Sequence, residues 1–228
     1  MNEDLTTLFT HLKSKGQLKQ DIFDNTANAF STLSEAAKSM ADNYQESEID
    51  KNGRVPFVFK NKGNFEFEIK FGGDVLLFMM HTNVFEFPRD HQVFKTPYLK
   101  EDKDRSYCGI INIYNFLGDS FKYNRMNDLG YLIGRIFINK DNHYLLEGKR
   151  ELGLLYNDFE KNTLDAENAG KIMYRAVEFT INFDLLTPPY QAVQQISVYD
   201  IRTTIDNMQL KTGKRLGFKF QADPDNIE

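Results

Sequence analysis

Residues 65–71 read Phe65-Glu66-Phe67-Glu68-Ile69-Lys70-Phe71, an alternation that puts Phe65, Phe67, Ile69 and Phe71 on one face and Glu66, Glu68 and Lys70 on the other. Side chains of a strand point to opposite faces in turn, so a period of two predicts a strand with one buried and one wet face. That is the pattern of an antiparallel sheet. Asn61-Lys62-Gly63 precedes the stretch and Gly72-Gly73-Asp74 follows it. Both read as hairpin connections, because glycine takes positive φ without a Cβ penalty. Antiparallel strands over 55–60, 64–71 and 74–86 are therefore expected.

Further along, Gly118-Asp119 predicts a turn between strands near 108–116 and 120–125, and Asp141-Asn142 joins 131–139 to 143–147. The expected sheet is a β-meander of about six to seven strands. Behind it, Leu152, Leu155, Tyr156 and Phe159 suggest a short helix. Thr163 or Asp165 can cap a longer one reaching Leu186, where Thr187-Pro188-Pro189 stops it. Ile201, Ile205 and Met208 fall on one face of a final helix over 191–211, with Gly213 at its C-cap and an edge strand over 217–221.

Ahead of the sheet, Leu5, Leu8, Phe9 and Leu12 recur at i, i+3, i+4 and i+7, one stripe of a helix that Gly16 is expected to end. Asp21 or Asp24 can cap a second helix whose stripe runs through Ile22, Phe23, Ala27, Phe30, Leu33, Ala37, Met40 and Tyr44. Glu46 to Arg54 reads as a linker. The fold class is thus α+β, an antiparallel meander flanked by N-terminal and C-terminal helices. It forms a single structural domain with an acidic helical arm at 1–50 and a body at 51–228.

Composition restricts the function. Of the 228 residues, 20 are Phe and 11 Tyr with no Trp, which fits an aromatic, sheet-rich core. The lone Cys108 cannot form an internal disulfide, and the start lacks a signal peptide's apolar stretch, so a reducing cytoplasm is expected. The longest apolar run, Val75 to Met80, is far below the ~20 residues a membrane-spanning helix needs. The net charge of −5 sits in the arm, where four Lys face nine acids, while the remainder balances 24 basic against 24 acidic residues. Nucleic acid is disfavoured as a partner, because neither part offers the basic surface that phosphates require.

No phosphate-binding, nucleotide-binding, zinc-protease, hydrolase or thiol-pair signature is present. The candidates lie in the aperiodic stretch 85–107, where Arg89, Asp90 and His91 are adjacent and Tyr98, Arg105 and Tyr107 follow. An Arg, a His and a carboxylate can bind a small anionic ligand or move protons. The opposing reading is a solvated turn, since neighbours on an extended chain point apart. His81 and Asn83 share the parity of Leu77, Met79 and Phe85, so they either line a cavity or satisfy one another in the interior. Tyr114, Tyr123 and Tyr131 can line a pocket or serve as half-buried sheet residues. Lys211, Lys214, Arg215 and Lys219 form the one basic cluster and invite a phosphate-binding reading, but with no aromatic platform or glycine-rich loop beside them they are better explained as cations at a helix C-terminus. Cys108 lacks thiol or histidine neighbours at ligand spacing, so no metal set is indicated and no cofactor can be named.

The outline, amphipathic helices ahead of a meander, is similar to small-ligand sensor domains of the PAS and GAF kind, and outline does not fix function. Two functional readings follow. The first is a non-enzymatic ligand-sensing or protein-assembly domain that dimerises, or meets a protein partner, through residues 1–50. The alternative is an enzyme lacking a familiar motif, with its active site under the 85–107 loop.

Overall fold

A computed structural model describes residues 3–126, 128–148, 158–183, 190–195, 197–199 and 202. The alternation at 65–71 becomes strand β2 (Glu66–Phe71), which pairs antiparallel with β1 (Phe57–Asn61) on one side and β3 (Asp74–Met80) on the other. After the short β4 (Phe85–Glu86) come β5 (Tyr107–Leu117), β6 (Tyr131–Asn139) and β7 (Tyr144–Gly148). The sheet has seven strands in the order β1-β2-β3-β5-β6-β7, with β4 pairing beside β3 on the same edge of β5. Each strand lies next to one that is close in sequence, so this is the α+β meander that the turn spacing predicts.

One face of the sheet carries the main core. Phe67 stacks on Phe78 with centroids 4.6 Å apart, and Phe30 of the long helix α1 (Glu3–Glu46) reaches Phe67 at 5.1 Å. Ile22, Thr26, Ala29, Phe30, Leu33, Ala37 and Ala41 of α1 are buried, the three- and four-residue spacing of one helical face. A second helix, α4 (Ala166–Ile181), packs beside α1 on the same face through Ala169, Ile172, Met173 and Ala176. Asp165 caps α4, its carboxylate accepting from the Asn168 amide at 2.8 Å. The axis of α1 passes close over β5 at Gly109, where a Cβ would stand 2.0 Å from Thr26 Oγ1. On the opposite face of β2, Lys62 bridges Glu66 at 3.2 Å and Glu68 at 2.7 Å, the wet side of the alternation.

Several boundaries differ from expectation. The two arm helices are one, because Gly16 does not end α1. A glycine inside a helix costs only ~1 kcal/mol, and Lys13 to Gln20 supply mostly good helix formers around it. The strand expected at 74–86 stops at Met80 and resumes as β4. The strand expected at 120–125 is instead a short helix, α3 (Gly118–Lys122). Both edges of β5 are already taken by β3 and β6, so a strand there could not pair with β5. α4 ends at Ile181 and a short helix α5 covers Tyr190–Val193. Leu152, Leu155, Tyr156, the Thr187-Pro188-Pro189 stop, Ile201, Ile205, Met208, the basic cluster at 211–219 and the edge strand at 217–221 lie outside the described residues. No described helix is long and apolar enough to cross a membrane.

Candidate ligand-binding site

The stretch 85–107 is aperiodic because it is built from short capped turns. His91 opens a 3-10 turn at Gln92–Lys95, its Nδ1 accepting from the Val93 amide at 3.3 Å. Thr96 caps helix α2 (Pro97–Glu101) by accepting from the Leu99 amide, and Pro97 supplies the fixed φ of a first helical position. Asp102 then caps a second 3-10 turn at Lys103–Ser106. The first of these turns drops Val93 inward and α2 drops Tyr98 and Leu99. Phe87, Val93, Tyr98 and Leu99 pack with Cys108, Phe137 and Phe159 into a second, smaller core on the face of the sheet away from α1.

Between α2, the β6–β7 ladder and residues 158–160 this packing leaves a cavity of about 750 Å³. Its apolar wall is Val93, Pro97, Phe137, Leu145 and Phe159, and His91, Gln92, Thr96, Tyr98, Glu147, Asp158 and Glu160 supply the polar groups. A smaller cavity of about 260 Å³ shares His91, Phe137 and Glu147 with it and continues toward Phe85, Cys108 and Arg135. Arg135 donates from Nε to Glu147 at 2.7 Å, so that carboxylate is neutralised where the two cavities meet.

Tyr98 forms the link between this cavity and the turn joining β6 to β7. Its hydroxyl accepts from Asn139 Nδ2 at 2.9 Å, donates to Asp141 Oδ2 at 3.1 Å and lies 2.8 Å from His143 Nδ1. Arg105 donates to Asp141 at 2.8 Å, to the Tyr98 carbonyl at 2.9 Å and to Glu101 at 2.7 Å, with its guanidinium 4.3 Å above the Tyr98 ring. Asn139 Oδ1 accepts from the amides of Asp141 and His143, closing the turn. Asn25 of α1 donates to the carbonyls of Asn139 and Lys140, which ties the turn to the helix on the far face. Burial pushes the Tyr98 phenol up to about 12, so it stays protonated through the physiological range. Burial likewise raises the Cys108 thiol, which is 1% exposed and therefore inert as a nucleophile.

Of the residues singled out from sequence, His91 and Tyr98 line this cavity and Arg105 holds Tyr98 from behind. Arg89 and Asp90 are exposed on the turn before His91, and among the described residues Arg89 reaches only Glu86, at 4.0 Å. His81 is not among the described lining. It sits at the end of β3 with its ring edge-on to Phe85 at 4.7 Å, and its Nδ1 accepts from the Asn83 amide at 3.0 Å. Asn83 is exposed in a separate polar groove of about 720 Å³ beside Gln17, Gln20 and Asp24 of α1. Tyr107 lies under Lys15 of α1, whose ammonium is 3.5 Å from the ring centre, and Tyr114 is half-buried opposite Leu77 and Leu132. Asn139, Asp141 and His143 escaped the sequence reading because 141–142 signals only a turn; that α2 lands upon that turn is a tertiary fact. No group of His, Cys, Asp and Glu among the described residues is arranged to hold a metal ion.

No protein-family model, no curated protein and no solved structure matches this chain, so the geometry of this cavity and its supports is the basis for a functional reading.

Proposed function

We propose that this protein is a non-catalytic binding module for a small, neutral and largely apolar ligand, taken up between α2, Phe159 and the β6–β7 ladder. The observation that carries this reading is the cavity of about 750 Å³ walled by Phe137, Leu145, Val93 and Phe159. That volume is within the ~300–1,000 Å³ of small-molecule sites, and an apolar wall with a few convergent polar groups is their usual composition. The described lining holds Glu147, Asp158 and Glu160 but no Lys or Arg, which favours a neutral ligand over the small anion that Arg89 and His91 suggest from sequence. Tyr98, held by Asn139, Asp141 and Arg105, offers a rigid aromatic wall rather than a reactive group.

Titration with Nile red, a neutral apolar dye, tests the reading. Saturable binding at one site per chain is expected, with affinity at least ~10-fold weaker in Leu145→Asp, because a charge in the apolar wall must be desolvated when the dye enters. The half-exposed Leu145 can change without unfolding the chain, which a thermal melt verifies. Absence of saturable binding, or equal binding by Leu145→Asp, overturns the assignment.

A further inference from the structure

The first part of α1 extends past the body. Residues 3–14 are all exposed, and the first side chain of α1 buried in the core is Ile22. At 1.5 Å per residue, this leaves about 18 Å of helix without a neighbour among the described residues. Yet it carries an apolar stripe, with Leu5 44%, Leu8 57%, Phe9 51% and Leu12 67% exposed. At 100° per residue the stripe lies on the same side of the helix as Phe23, Phe30 and Ala37, so it continues the face that docks on the sheet.

The stripe is symmetric along the helix. Leu5 and Leu12 are equidistant from the midpoint between Leu8 and Phe9, so a second copy laid antiparallel about that midpoint sets Leu5 against Leu12 and Leu8 against Phe9. Charge has the same polarity: the first turn holds Glu3 and Asp4, while Lys13, Lys15 and Lys19 follow the stripe. Antiparallel alignment brings the acidic turn of each arm to the basic segment of the other, whereas parallel alignment sets like against like. Asp4 shares one flank of the stripe with His11 and Lys15, and the antiparallel register drops it between those two positions on the other copy. The partner's helix then begins opposite Ser14, next to the point where Lys15 meets Tyr107 and the body starts. The free length of the arm and the length of the pairing coincide.

We infer that α1 is a dimerisation arm, its residues 3–14 pairing antiparallel with those of a second copy about a two-fold axis at Leu8 and Phe9. Such an interface is isologous and closes at two chains. It is small, with four apolar side chains from each copy, so the dimer exchanges with monomer at micromolar concentration. This inference is independent of the ligand cavity, which lies on the other face of the sheet from α1.

Sedimentation equilibrium on the full chain is the test. The mass is expected to rise with concentration from 26.6 kDa toward twice that value. Leu8→Glu is expected to stay monomeric with an unchanged melting temperature, since Leu8 is exposed and lies outside the described core. Cysteine pairs then report the register, because native Cys108 is buried and does not compete. A mixture of Leu5→Cys and Leu12→Cys is expected to form the mixed disulfide at least ~10-fold faster than Leu5→Cys links to itself, the two Leu5 positions lying about 10 Å apart along the axis. A chain that stays monomeric at about 1 mM, or a Leu8→Glu variant that still dimerises, overturns the inference. Rapid self-linking of Leu5→Cys overturns the antiparallel register.

Discussion

At the scale of single residues, Tyr98 concentrates the most interactions near the cavity, and its environment makes a definite pH signature. The unfolded phenol ionises near its ordinary value of about 10, and in the folded protein burial raises it to about 12. Between these values the folded state retains a proton that the unfolded state has lost, so stability falls as pH rises through that window. Below pH 10 the contribution is complete. Tyr98→Phe, followed by urea denaturation, is expected to cost about 1–3 kcal/mol near neutrality, because buried Asn139 loses its acceptor. It is also expected to show a shallower loss of stability than the native chain between pH 10 and 12. Identical alkaline limbs would mean that Tyr98 ionises as an exposed phenol does. None of this was legible at residue 98 itself, where the sequence shows only a tyrosine after a proline. Asn139, Asp141 and Arg105 come from distant positions, and their convergence depends on α2 landing on the β6–β7 turn.

Among elements, the contact that sets how closely α1 approaches the sheet is the crossing of Thr26 over Gly109. With a methyl group at Gly109 placed 2.0 Å from Thr26 Oγ1, either helix or strand must shift. Gly109→Ala is expected to cost about 1–3 kcal/mol, as overpacking usually does. Adding Thr26→Ala is expected to return part of that loss, since it removes the nearest atom while Thr26 Cβ still lies 2.8 Å away. Urea midpoints of the two single variants and the double variant check this, and strict additivity would show that the crossing does not control the spacing. Elements differ in how plainly they are written in the chain. β2 is legible because seven consecutive residues keep one period and its flanking glycines mark the turns. α3 is not, because Phe121 and Tyr123 alternate as strand residues do, and only the occupancy of both edges of β5 excludes a strand. Gly16 misleads in the other direction: its small cost is borne by a helix anchored further along by Ile22, Phe30 and Leu33.

For the molecule as a whole, α1 has two halves with different roles, and truncation separates them. Removing residues 1–14 is expected to leave the melting temperature within ~1 °C, because residues 3–14 are exposed and bury nothing in the core. Removing residues 1–30 strips Ile22, Thr26, Ala29 and Phe30 from the sheet. Losing the Ile22 and Phe30 side chains alone corresponds to ~5–10 kcal/mol, comparable to the whole stability of a domain, so this variant is expected to show no cooperative thermal transition. Retained cooperative unfolding after the longer deletion would show that the sheet stands without its helix. What the sequence by itself determined is the α+β class, the antiparallel order of the strands and the amphipathic character of the helices. These follow from periodicity and turn chemistry, which act over a few residues. What only the tertiary structure decided is which surfaces meet. Phe65 to Phe71 announce a buried face but not that α1 and α4 cover it, and Leu5 to Leu12 announce a stripe but not that the other described residues leave it uncovered. The cavity beside Tyr98 likewise exists because segments some forty residues apart in sequence pack together, and such long-range packing leaves no period in the chain to read.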